Sequence, residues 1–256
     1  MKISVVTPAL NEAKNLIDRA RELAAQEGPW EWIVADGGSA DGTLDTARAA
    51  GATTVRSERG RGLQLNAGAR LATGDVLLFL HADTILPRDA FGQIRAALLE
   101  RAIVGGNFTF SFDDTSFAGQ FLTFVYMMKR ELFGVWYGDS GIFVRTTVFW
   151  ALGGFAEFPI LEDAQFVERL QRAGRTRRLE GVVRSSSRRY RGRIVATVLR
   201  WTTIFALYKL GVPPRRLGRL YAAHSTMGAE LQAAEASLVS RGETEVPSEP
   251  KRSALE

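Results

Sequence analysis

The sequence predicts an α/β fold built on a mainly parallel sheet, and three observations carry that expectation. Short β-branched runs alternate with helical patterns through the first hundred residues, the signature of successive βα units. Residues 76–80, Val-Leu-Leu-Phe-Leu, are apolar at consecutive positions, as in a central strand covered on both faces. Polar, glycine-bearing clusters follow the strand patterns, and ligands of open α/β sheets collect beyond the carboxyl ends of such strands. His81-Ala82-Asp83 ends the apolar run, so a carboxylate stands at the mouth of a buried strand, a place suited to a metal and a phosphate.

Taken in order, residues 3–7 form the first strand. Residues 15–25 form a helix with Leu16, Ala20, Leu23 and Ala24 on one face. Strands at 32–35 and 53–56 flank a helix at 43–50. A short helix at 62–71 precedes the strand at 76–80, and a helix at 88–100 turns Phe91, Ile94, Leu98 and Leu99 inward. After residue 103 the pattern changes: a longer strand at 104–112, an apolar helix at 117–133, a strand at 142–145 and a helix at 164–172. Residues 194–210 are apolar but punctuated by Arg200 and Lys209, too short and too charged to span a bilayer, and fit a helix lying on a membrane or packed on the domain. The polar, proline-bearing stretch 240–256 reads as a disordered tail.

The chain has 256 residues, 46% hydrophobic and 24% charged, enough for one large domain with appendages. It has no cysteine, which excludes disulfides, thiolate zinc sites and cysteine nucleophiles, and permits a reducing cytoplasm. The first residues read as a strand rather than a signal peptide. The net charge of +5 conceals an asymmetry, since residues 169–219 hold 15 Lys and Arg against one acid, Glu180. Such a segment suits an anionic partner, namely lipid head groups, a diphosphate or nucleic acid, or is a solvated basic surface.

Four clusters fall at carboxyl ends of the expected parallel strands and should meet along one sheet edge. In 7–12, Pro8 stiffens the exit from the first strand beside Ala9, while Asn11 and Glu12 offer contacts to a ribose or base, or cap a helix. In 36–43, paired glycines including Gly38 let backbone approach a ligand, and Asp36, Ser39 and Asp41 either bind it or organise a turn. In 59–68, Arg59 and its neighbours could brace a diphosphate beside Gly62 and Asn66. The fourth cluster is His81, Ala82 and Asp83.

These motifs, in this order, resemble the nucleotide-sugar half of the family 2 glycosyltransferases, which have the GT-A fold. Further on, 138–145 with Gly141 resembles the acceptor-side strand, and Leu161-Glu162-Asp163 resembles the Glu-Asp pair that carries the base. The resemblance implies a domain over 1–190, with a nucleotide-sugar half at about 1–103 and an acceptor half at about 104–190. A C-terminal helical extension at 191–239 follows it. Ser187-Arg188-Arg189-Tyr190 and Gly211-Val212-Pro213-Pro214 are similar to a bacterial subgroup labelled arsenosugar-biosynthesis or radical-SAM-associated glycosyltransferases. That label names a neighbourhood and not an acceptor.

The resemblance implies a non-processive, inverting transfer of sugar from a UDP-, GDP- or dTDP-linked donor to a hydroxyl acceptor, which a lipid could carry. Asp163 would be the general base and Glu162 its neighbour at the acceptor. Asp83, the surviving aspartate of a DxD-type motif, would bind Mn²⁺ or Mg²⁺. His81 departs from that motif and leaves open a contact to ribose, diphosphate or metal, or simple packing. Arg188 and Arg189 stand where other members carry Gln-x-x-Arg-Trp, and would clamp the diphosphate or an anionic acceptor, or continue the basic surface. A cytoplasmic chain, peripheral on the inner face of the membrane and without nucleic acid, is the expected setting. A nucleotidyltransferase is the alternative, weakened by Pro8-Ala9-Leu10-Asn11 in place of a glycine-rich loop; a non-catalytic membrane adaptor would need none of Asp36, Asp83 and Asp163.

Overall fold

A computed structural model describes residues 1–186 and 194–222. Arg188, Arg189 and the stretch 240–256 lie outside the described residues. The elements run β1 (Ile3–Ala9), α1 (Ala13–Ala24), β2 (Trp30–Asp36), α2 (Thr43–Ala49), β3 (Thr53–Arg56), α3 (Arg61–Leu71), β4 (Val76–Phe79), β5 (Thr84–Ile85) and α4 (Ala90–Leu99). There follow β6 (Ile103–Phe112), α5 (Phe117–Phe133), a 3₁₀ turn (Gly138–Ser140), β7 (Ile142–Arg145), α6 (Thr146–Ala151), α7 (Glu162–Ala173), β8 (Arg175–Ser185), α8 (Ile194–Lys209) and α9 (Pro214–Ala222).

One eight-stranded sheet has the order β3-β2-β1-β4-β7-β6-β8-β5. The first four strands in that order are mutually parallel, which brings the ends of β1, β2, β3 and β4 to one edge. The second half departs from the expected βα repetition, because β7 runs antiparallel to both β4 and β6. Phe79 therefore pairs with Ile142, and the turn preceding β7 reaches the edge where β4 ends.

Successive residues of the central strands serve opposite faces, as strand geometry requires. Val5 and Leu78 pack with Leu16, Leu23, Phe91 and Ile94 on one face. Val6, Leu77 and Phe79 pack with Leu65, Phe149, Phe155, Phe166 and Leu170 on the other. Phe79, Phe155 and Phe166 form a chain of ring contacts with centroids 4.7 Å apart, each buried ring contributing about 1.5–3 kcal/mol. Gly68 lets α3 lie directly on β1, since a Cβ there would stand 2.5 Å from Val6 Cγ1.

Strand β8 was not expected from sequence. Its arginines mask any alternation, and its pairing with β6 shifts register between Phe108 and Thr109, opposite Leu179 and Val182. α8 packs on the domain: Ile204 and Phe205 are buried, Trp201 stacks on Phe112, and Phe205 meets Phe133. The larger exposed apolar stripe belongs to α5, where Phe117, Phe121, Phe124, Met128 and Leu132 recur at helical spacing on the solvent side. Among the described residues, no helix is long and apolar enough to cross a membrane.

Candidate active site

The edge at which β1, β2 and β4 end is stitched together by short polar contacts between its loops. Asn11, in the left-handed region at φ 55°, donates its N–H to Ser39 Oγ (2.8 Å) and accepts from Ala40 N at its side-chain oxygen (2.9 Å). Asp41 accepts from Ala13 N and Thr43 N, and Thr43 Oγ1 accepts from Glu12 N. Asp36 is buried and takes the N–H groups of Gly38 and Ser39 and the Ser39 hydroxyl, which sets the conformation of its own loop. Gln64, buried on α3, donates to the carbonyls of Ala9 (2.8 Å) and Ala35 (3.0 Å), fixing the spacing of the first two loops. Pro8 is half-buried, Ala9 buried, and Gly38 and Arg59 exposed at the rim.

Asn66 has a different place from the ligand contact expected of it. Its amide is buried and reciprocally bonded to Phe155, donating to the carbonyl and accepting the N–H, both at 2.9 Å. Those bonds satisfy the amide on backbone and make Asn66 a brace for the segment that leads to α7. Gly62 packs with no room for a Cβ, which would stand 2.6 Å from the Ala156 carbonyl.

That segment ends at Leu161, whose φ of 63° is a strained conformation for a branched-chain residue and re-aims the chain as α7 begins. Glu162 and Asp163 follow in the first turn, 1% and 5% exposed. Asp163 Oδ2 accepts from Gly138 N at 2.8 Å and Oδ1 from Ala164 N at 2.7 Å. Glu162 Oε1 is paired with Arg61 Nε, while its buried Oε2 has no partner among the described residues. Burial pushes the Glu162 carboxyl up, opposed by Arg61. Burial works against the charge of Arg61, but Glu162 and then Asp163 outweigh it and hold the guanidinium protonated.

The 3₁₀ turn brings a further carboxylate that sequence reading passed over. Asp139 is half-buried, and its Oδ1 accepts from Tyr126 Oη at 2.9 Å. Burial pushes its carboxyl up to about 7; Asp163 and Asp83 add to that, while the Tyr126 hydrogen bond and Arg61 oppose it. Beneath the turn, Ser140 Oγ donates to Tyr137 O and accepts from Asn107, whose carbonyl takes a bond from Arg130. Gly141 caps the turn at φ 68°, buried against Phe108.

His81 and Asp83 are half-buried at the mouth of β4, and Ala82 between them is buried. A Cβ on Gly138 would stand 3.2 Å from His81 Nε2 and 3.3 Å from Asp163 Oδ2, so imidazole and carboxylate flank one spot on that turn. Arg19, an α1 residue only 2% exposed, pairs with Glu22 and reaches the Ala82 carbonyl at 3.4 Å, while Glu22 accepts from Leu86 N. Helix α1 thus braces the turn that carries Asp83.

Asp83, Asp139 and Asp163 consequently share one electrostatic environment with Arg61, although they arise from three separate elements. Among the described residues, no three His, Asp or Glu side chains converge as a ready metal cage. A lone strand-end carboxylate fits the way Mg²⁺ and similar hard cations are held, through one or two carboxylates plus the phosphates of the substrate.

Comparison with known proteins agrees with this geometry. A family profile described as Glycosyl transferase family 2 matches residues 4–152. An uncharacterised glycosyltransferase, YfnE, of Bacillus subtilis (strain 168) is 36% identical over 97 residues, 35% of this chain and 25% of the relative. The match therefore spans a quarter of that relative's length. Among solved structures, the mannosyltransferase PcManGT from Pyrobaculum calidifontis, in complex with GDP-Man and Mn²⁺, has a TM-score of 0.62 at 19% identity, covering 92% of this chain and 79% of its own. Glucosyl-3-phosphoglycerate synthase from Mycobacterium tuberculosis, with Mn²⁺ and UDP-glucose, gives 0.57 at 21%, covering 83% and 80%. S. aureus TarS (residues 1–349) with UDP-GlcNAc gives 0.54 at 17%, covering 78% and 65%.

Proposed function

The chain belongs to glycosyl transferase family 2 and has the GT-A fold, and from that premise we propose that it transfers a sugar from a nucleoside-diphosphate sugar to an acceptor hydroxyl, once per acceptor and with inversion. One observation carries the reading: at the edge where the parallel strands β1, β2, β3 and β4 end, Arg61 pairs with Glu162 at the start of α7, and Gly138 lies against both His81 and Asp163.

In this reading the nucleoside lies against the loops at 8–12 and 36–41, and the diphosphate lies toward Asp83, with Arg61 supplying positive charge. Asp83 would hold a divalent cation, Mn²⁺ or Mg²⁺, which supplies neutralisation of the leaving diphosphate. The acceptor oxygen attacks the anomeric carbon, its proton passes to Asp163, and the bond from that carbon to the diphosphate oxygen breaks with its electron pair leaving on the nucleotide. Asp163 is oriented for this by two backbone N–H groups. Glu162 keeps Arg61 in place and leaves Asp163 as the carboxylate for proton transfer.

The donor, by analogy with what the solved relatives hold, is a UDP- or GDP-linked hexose, with dTDP-sugars also tested. A cytoplasmic, membrane-peripheral setting is part of the proposal, supported by the basic segment 169–219 and the exposed α5 stripe. Flotation with anionic vesicles tests it, and protein left entirely at the bottom at low salt would dismiss it. The main experiment is a melting-temperature panel with UDP-, GDP- and dTDP-sugars plus Mn²⁺. Stabilisation by at least one nucleotide sugar is expected, and none at saturating concentrations would overturn the proposal.

A further inference from the structure

We propose that Asp139 binds a hydroxyl of the sugar being transferred, with Tyr126 as the residue that holds its carboxylate in position. The inference rests on the nucleotide-sugar reading above and names which side chain reads the sugar. Asp139 stands on the 3₁₀ turn between Gly138, whose N–H is bonded to Asp163, and Ser140, which is locked beneath it through Asn107. Tyr126 comes from the inner face of α5 and is itself fixed, its oxygen accepting from Tyr137 N at 3.2 Å while its proton goes to Asp139 Oδ1. Asp139 Oδ2 takes no bond from any described residue, and the residue is half-buried.

Asp139 follows Gly138, which bonds to Asp163 on the acceptor side and whose Cβ position would stand 3.2 Å from His81 Nε2, at the end of β4 that carries Asp83 on the diphosphate side. A sugar in flight from diphosphate to acceptor must lie between those two sides. A carboxyl group on that turn flanks the sugar, and its second oxygen is suited to a hydrogen bond with a sugar hydroxyl. The rigid network under the turn is what such reading needs, since a hydroxyl contact discriminates only if its partner is held in place.

The test compares nucleotide with nucleotide sugar. Affinities of UDP and UDP-glucose, UDP and UDP-GlcNAc, GDP and GDP-mannose, and dTDP and dTDP-glucose are measured by calorimetry with Mn²⁺ for the wild type, Asp139→Asn and Tyr126→Phe. For the pair that binds, Asp139→Asn should lower the ratio of sugar-nucleotide to nucleotide affinity about tenfold, with affinity for bare nucleotide within about twofold. Tyr126→Phe should lower the same ratio less. A collapse of the fold would change both affinities together and is recognised by that. Unchanged ratios in both variants, with nucleotide still bound, overturn the role of Asp139 and leave the transferase reading standing. No binding of any of these probes to the wild type would overturn the transferase reading and this inference with it.

Discussion

Replacing Arg61 should cost far more stability than replacing the carboxylate it is paired with. Glu162 is 1% exposed and already has one oxygen without a partner among the described residues, whereas the Arg61 side chain is 44% exposed. Arg61→Met strands a buried carboxylate, for which a loss of about 3–5 kcal/mol is typical. Glu162→Gln leaves a guanidinium that solvent can reach, at a cost of about 1 kcal/mol or less. The double variant should match Glu162→Gln, giving a coupling of about 3–5 kcal/mol. Urea denaturation measures this directly, and in melting temperature the Arg61→Met loss corresponds to roughly 6–20 °C. Burial holds the Glu162 carboxyl above its unfolded value, so the folded chain favours its proton. That contribution is present at acid pH and lost as pH rises through the folded value, so the Arg61→Met deficit should widen from pH 5 to pH 8. Equal single losses that simply add would refute the argument.

Three further outcomes are expected. Asp163→Asn should lower kcat by about 10²–10⁴ while nucleotide affinity stays within about twofold, checked by calorimetry beside a transfer assay; a fully active variant removes Asp163 from the proton transfer. Asn66→Ala should lose about 2–4 kcal/mol in urea denaturation, since the buried N–H and carbonyl of Phe155 both lose their partner. Lys2, Ser4 and Thr73 together overcome the desolvation of Glu31 and hold its carboxyl down to about 2, so its stabilisation is present above pH 4.5 and lost as pH falls toward 2. Glu31→Gln should therefore flatten the acid side of the stability profile between those values, by about 1–2 kcal/mol after allowance for solvent screening.

Much of the nucleotide half was legible because its chemistry is local. The apolar run at 76–80 and the turn residues after each strand mark the sheet edge without any knowledge of tertiary contacts. The strands at 53–56 and 142–145 and the helix at 117–133 have the bounds expected of them. What stayed hidden depends on partners distant in sequence. Arg19 reads as a polar-face residue of an amphipathic helix, and only the Ala82 turn and Glu22 explain its burial. Asn66 is an ordinary polar residue on a helix until Phe155, 89 positions away, takes both ends of its amide. Asp139 lay inside a motif whose role was assigned to Gly141, and its importance follows from the antiparallel β7, which no periodicity announced. The arginine-rich strand β8 shows the same limit, since charge hid a pairing that β6 imposes.

The location of the metal and diphosphate seat is the centre of this account, and crystals soaked with Mn²⁺ and UDP test it most directly. Anomalous scattering collected at the manganese edge should give one strong peak bonded to the Asp83 carboxylate and to oxygens of the UDP diphosphate. A peak seated instead on Asp139 and Asp163, or diphosphate bound away from the mouth of β4, would contradict it.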